Sequence, residues 1–153
     1  MKDKLVAIGD DFWNIRGSFK LAGLVDLGTQ SSLVRLQSGN FVLLDAYAFE
    51  GEILEEVMRL TSGGEKIEAV INLHPFHTVH VEEVSKLFPS ARQYGTSRHP
   101  QEVPSVNWEP ERVEDAAFHE LYAQDFLFSV PRGVAFVPSN EKVHFASVLA
   151  YHK

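Results

Sequence analysis

The chain has 153 residues, 44% of them hydrophobic and 23% charged, which suits one domain over 1–153 with a real core and excludes disorder. A formal net charge of −7, with 14 basic residues and no basic run, excludes the clustered Lys and Arg that a nucleic-acid partner requires. Cysteine is missing, which removes disulfides, thiolate metal sites and a cysteine nucleophile.

No long apolar stretch follows Met1-Lys2-Asp3-Lys4. Neither a signal peptide nor a membrane span is read there, so no membrane partner and a cytoplasmic address are expected. From Phe12 to Phe19 the residues alternate, Trp13, Ile15 and Phe19 on one side and Asn14, Arg16 and Ser18 on the other, predicting a half-buried strand. Leu21 to Thr29, punctuated by Gly23 and Gly28, is a short strand or an ordered loop. Ser31 to Gln37 and Phe41 to Tyr47 are two apolar segments joined by Ser38-Gly39-Asn40, a connection suited to a hairpin. In Gly51 to Leu60, Ile53, Leu54, Val57, Met58 and Leu60 recur at helical spacing, with Glu52, Glu55, Glu56 and Arg59 outward.

The stretch Ala69 to Tyr94, AVINLHPFHTVHVEEVSKLFPSARQY, is where chemistry is to be sought. A buried strand at Ala69-Val70-Ile71 runs into a polar turn with His74, His77 and His80. A helix from Val81 to Leu87 follows, and then a short strand near Gln93-Tyr94. Ligands collect at the carboxyl ends of strands in open α/β sheets, where side chains converge on a crevice. Beyond Gly95 the chain reads as loop to Pro110, around a brief strand at Val106 to Trp108. The last third reads as strands: part of Leu121 to Val130, Gly133 to Val137, and Val143 to Tyr151, with a tight turn at Pro138-Ser139-Asn140-Glu141. No phosphate-cradling Gly-rich loop opens a helix, and no Gly-x-Ser-x-Gly elbow occurs.

The hexapeptide Asn72-Leu73-His74-Pro75-Phe76-His77, set between a strand and a helix, resembles the His-x-His-x-Asp-His motif of the metallo-β-lactamase fold superfamily. The resemblance implies an α/β (α+β) metallo-β-lactamase-like αββα sandwich, short or incomplete in its second half, and a divergent metal-dependent hydrolase. It places Asp45 at the family's early strand-end acid, where a loop-holding role is expected. Asn72 stands where the first histidine would be and Phe76 where the aspartate would be, so the standard dinuclear centre is not expected. The counterparts of two later ligands, Val130-Pro131-Arg132-Gly133 and Phe145-Ala146-Ser147, contain neither the histidine nor the aspartate.

Two functional readings follow. In the first, one divalent metal (Zn, Fe or Mn) sits on His74 and His77, with Asn72, His80 or a distant histidine such as His99 or His119, and activates water. In the second, the scaffold has lost that chemistry and serves as a non-catalytic binding or interaction module with a small-molecule pocket. Arg132, were it to point into the same space, would suggest an anion pocket. An uncovered sheet face of Phe126, Phe128, Phe136, Phe145 and Val148 would be too apolar for a monomer, so a homo-oligomer, such as a homodimer, is expected.

Overall fold

Two fully apolar runs decide the architecture, because a strand with no polar face must be covered on both sides. The computed structural model describes residues 4–17, 20–21, 25–26, 28–140 and 146–153. Its strands are β1 (Lys4–Ala7), β2 (Phe12–Gly17), β3 (Lys20–Leu21), β4 (Val25–Asp26), β5 (Thr29–Arg35), β6 (Phe41–Leu44), β7 (Ile67–Ile71), β8 (Arg92–Tyr94), β9 (Phe126–Ser129) and β10 (Leu149–His152). The helices are α1 (Gly51–Leu60), α2 (Val81–Leu87), α3 (His99–Glu102) and α4 (Ala116–Leu121). A six-stranded sheet runs β1-β2-β5-β6-β7-β8, antiparallel as far as β6 and parallel from β6 to β8. The apolar runs, β6 and β7, lie at its centre.

Side chains leave the central strands alternately to two cores. On one face Ile15, Leu33, Leu43 and Val70 meet Ile53 and Val57 of α1, Val81 and Val84 of α2, and Tyr47, Phe49 and Phe88. On the other, Val34, Val42, Leu44, Ala69 and Ile71 meet Phe118 of α4, Phe126 of β9, Tyr94, Val113, Tyr122 and Val148. Fully burying an aliphatic or Phe side chain contributes roughly 1.5–3 kcal/mol, so the central strands hold both outer layers. The result is a mixed α+β arrangement with helices α1 and α2 on one side. On the other side lies a thinner layer made of α4 and the two-stranded sheet β9-β10.

The predicted helices at Gly51–Leu60 and Val81–Leu87 form as read, as do the strands ending at Ile71 and Tyr94. The hairpin forms too, with Gly39 at φ 86° in its turn. Its second strand stops at Leu44 rather than Tyr47, because Asp45 takes a left-handed conformation at φ 57°. The first strand of the alternating pair ends at Gly17, and Phe19 lies outside the described residues. Asn14, read as outward, is buried, because its amide is used by Ser32 and Arg16.

The last third differs most. Ala116–Leu121 is helical, while the partial strand read within Leu121–Val130 forms at Phe126–Ser129. Gly133–Val137 is not a strand. Of Val143–Tyr151 only the end is one, within β10, and residues 141–145 lie outside the described set. The brief strand at Val106–Trp108 reduces to one bridge between Gln93 and Trp108. The premise of the uncovered face also fails. Phe126 and Val148 are 1% and 2% exposed, and Phe128 and Phe136 pack on the same core, while Phe145 lies outside the described residues. The exposed apolar side of β9-β10 is the opposite one, carrying Leu127, Leu149 and Tyr151.

One close approach ties the sheet to the loop after β6. A Cβ at Gly17 would stand 2.1 Å from Tyr47 Cζ, so only glycine lets the buried Tyr47 ring lie across β2. Gly17→Ala is therefore expected to lower stability by about 1–3 kcal/mol, as overpacking does. Urea unfolding followed by circular dichroism measures it.

Candidate functional site

The carboxyl ends of β6 and β7 are joined by two side chains that each complete the other strand's backbone. Asn72, fully buried, accepts from Ala46 N at 3.0 Å and donates through Nδ2 to Tyr94 O at 3.2 Å. Asp45 accepts at Oδ1 from Leu73 N at 2.8 Å and His74 N at 3.3 Å. Asp tolerates the left-handed backbone that this position requires better than most residues do. The loop-holding role expected for Asp45 is what the geometry gives it. Leu73 O in turn accepts from Val148 N at 3.0 Å, tying the second layer to the same turn.

The turn carries His74, Phe76, His77 and His80. His77 N donates to His74 O at 3.0 Å, and Phe76 N donates to His74 Nδ1 at 3.2 Å. The imidazoles of His74 and His77 stack, with centroids 4.2 Å apart and planes at 23°. His77 Nδ1 stands 3.8 Å from Asp45 Oδ1. Phe76 lies over the guanidinium of Arg98, 4.7 Å from its ring centroid. His80 caps α2 by position and meets the edge of Tyr47, ring centroids 5.1 Å apart.

Whether these residues fit a metal is a question of convergence. A metal–imidazole bond of about 2.0–2.1 Å runs in the ring plane, and rings stacked 4.2 Å apart with planes 23° apart do not point at one such position. Asn72 spends both amide groups inside the fold, and Phe76 has no lone pair to donate. Among the described residues, no three His, Asp or Glu side chains form a group that could hold a metal ion. The residues present do not fit the dinuclear centre implied by the motif.

The more distant histidines go elsewhere. His119 Nε2 lies 2.9 Å from Val113 O, and its ring stacks on Phe128. His99 is fully buried behind the turn, its Nδ1 accepting from Thr96 N at 3.0 Å. Burial pushes its pKa down to about 4, against smaller upward pulls from the Asp45 charge and the nearby His77 backbone. Arg132 is exposed and Ser147 bonds to Val148 O, and neither lines the cleft.

In front of the turn lies a cleft of about 620 Å³. One wall is Phe76, His77, Val79 and His80. The other is Arg16 from the end of β2 with Thr29 and Gln30 from the start of β5, and Asp45 and Ala46 form the floor. Of this lining, sequence reasoning had singled out Asp45, Phe76, His77 and His80, and not Arg16, Gln30 or Val79. Arg16 could have been flagged only through its cross-strand pairing with Gln30, a register that local pattern does not disclose.

No protein-family profile matches the chain, and no curated protein matches it. Solved structures do. The metallo-β-lactamase FIM-1 of Pseudomonas aeruginosa, in its mono-zinc form, superposes with a TM-score of 0.53 at 12% identity over 76% of this chain and 53% of that one. A metallo-β-lactamase from Hirschia baltica gives 0.54 at 13% identity, over 76% and 54%. VMB-1 gives 0.59 at 10% identity over 99% of this chain and 65% of that one. The chain thus spans about half to two thirds of the length of these structures, and the likeness shows the fold.

Two outcomes follow from the site. Asn72→Ala strands the Ala46 N–H in the interior, and a buried group left unsatisfied costs about 1–3 kcal/mol, read as a lower urea midpoint. For His99, the folded pKa lies below the usual 6.5, so the unfolded chain binds the extra proton between pH 6.5 and about 4. Its contribution is complete above pH 6.5 and is lost as pH falls through 4, about 3 kcal/mol in all. Unfolding free energies measured across that window should lose this slope in His99→Gln.

Proposed function

We propose that this chain, which has the metallo-β-lactamase fold, is a non-catalytic small-molecule-binding module whose strand-end cleft no longer holds the metal centre of that fold. The observation that carries the reading is the employment of Asn72. A side chain at a ligand position whose oxygen accepts from Ala46 N and whose nitrogen donates to Tyr94 O is part of the scaffold. The stacked pair His74 and His77 supports the same reading, since stacking keeps their planes nearly parallel. The zinc named for the Pseudomonas aeruginosa structure belongs to that protein.

The competing reading is a metal-dependent hydrolase with one Zn, Fe or Mn ion. It draws on the nearness of His74, His77 and Asp45, and needs the two rings to turn out of their stack toward His80. A homo-oligomer is also part of our reading, now on a different surface. Leu127 and Leu149 are each 57% exposed and Tyr151 is 66% exposed, together forming one side of β9-β10. Such a patch favours association, and a monomeric mass by light scattering at micromolar concentration would remove that part. Among the described residues, no helix is long and apolar enough to cross a membrane.

Elemental analysis of protein purified without a histidine tag separates the two readings. The expected result is metal well below one equivalent, with no turnover of p-nitrophenyl acetate or bis-p-nitrophenyl phosphate above buffer. A stoichiometric zinc, iron or manganese that disappears in His74→Ala would overturn the binding-module reading.

A further inference from the structure

We propose that the cleft takes a small organic anion, a carboxylate or a phosphate monoester with an apolar substituent, anchored by Arg16. The proposal rests on the reading of the cleft as a binding pocket and names the chemistry that pocket recognises.

Arg16 is the starting point. Its Nε donates to Asn14 Oδ1 at 2.9 Å, and the buried Asn14 is itself held to Ser32 Oγ at 3.5 Å. The guanidinium is therefore oriented from behind while its terminal nitrogens meet no carboxylate among the described residues. The other exposed arginines of the sheet and helices are neutralised: Arg35 by Asp11, Arg59 by Glu56 and Arg92 by Glu68. An arginine that meets no carboxylate among the described residues, set beside a cleft in a chain of net charge −7, is a local exception and no part of a general basic surface.

Among the described residues that line the cleft, Asp45 is the one acid, and it forms no ion pair with Arg16. Asp45 Oδ1 is already taken by two backbone N–H groups, and its side chain is 21% exposed. Across from Arg16, His77 and His80 each carry a ring nitrogen able to offer an N–H. A guanidinium with its fork free favours the two oxygens of a carboxylate or phosphate. Phe76, Val79 and Ala46 supply an apolar surface beside these donors, and Val79 is 71% exposed at the rim. An apolar wall beside a few converging polar groups is the usual make-up of a small-molecule site, and about 620 Å³ is within its usual size.

The test is calorimetric titration of the whole chain with benzoate, phenyl phosphate and inorganic phosphate. Saturable binding at one site per chain is expected for benzoate, phenyl phosphate or both, and which of the two binds identifies the acid. Inorganic phosphate, which cannot use the apolar wall, is expected to bind more weakly than phenyl phosphate. Arg16→Gln should weaken binding at least about tenfold, as loss of a charge-assisted contact does, and Arg132→Gln should leave it unchanged. Gln30→Glu, opposite Arg16 in the strand register, should weaken binding similarly while keeping the arginine, which guards against misfolding of the first variant. No saturable binding of either aryl anion, or binding indifferent to both variants, overturns the proposal. Binding that vanishes with a chelator and returns with zinc would instead overturn the binding-module reading beneath it.

Discussion

The reciprocal bonding of Asp45 and Asn72 is the constraint on which the functional end of this molecule depends. Two parallel strands end side by side, and at that point the ladder can no longer supply partners for Ala46, Leu73 and His74. Each acid or amide reaches across to the neighbouring strand's backbone and closes those donors. Buried backbone groups left open are costly, so the pair fixes where both loops leave the sheet. Everything in the cleft, from Ala46 on its floor to the histidine turn on its wall, takes its position from that closure.

The same closure explains why the histidines read as they do. The turn is drawn tight against β6, His77 N bonds back to His74 O, and the two rings are left face to face. Phe76 settles over Arg98, and the buried His99 sits behind with its nitrogens withdrawn from solvent. The imidazoles are thus packed as side chains of a structured turn.

The two layers over the sheet serve different ends. Helices α1 and α2 bury one face with long apolar side chains and set the parallel strands in order. The second layer is thin, and it is joined to the turn through Val148 and Leu73. Its inner aromatics are well covered, and the apolar side chains it shows to solvent belong to the outer face of β9-β10.

Local sequence determined the parts of the molecule whose signal is local. The helical spacing in Gly51–Leu60 and Val81–Leu87, the glycine turn at Gly39, the apolar strand that begins at Phe41 and the one that ends at Ile71 each follow from period and turn chemistry. The motif at Asn72 to His77 pointed to the fold that the solved structures share. The last third was read in part: the strand within Leu121–Val130 forms at Phe126–Ser129, but Gly133–Val137 is not a strand and the helix at Ala116–Leu121 is too short to show a period. Only the tertiary structure decided that Asn72 is a scaffold bond, that the two imidazoles stack, and that Arg16 faces the turn. Those outcomes depend on which strands stand beside one another, and β2 comes within reach of the histidine turn only because β5 and β6 lie between it and β7.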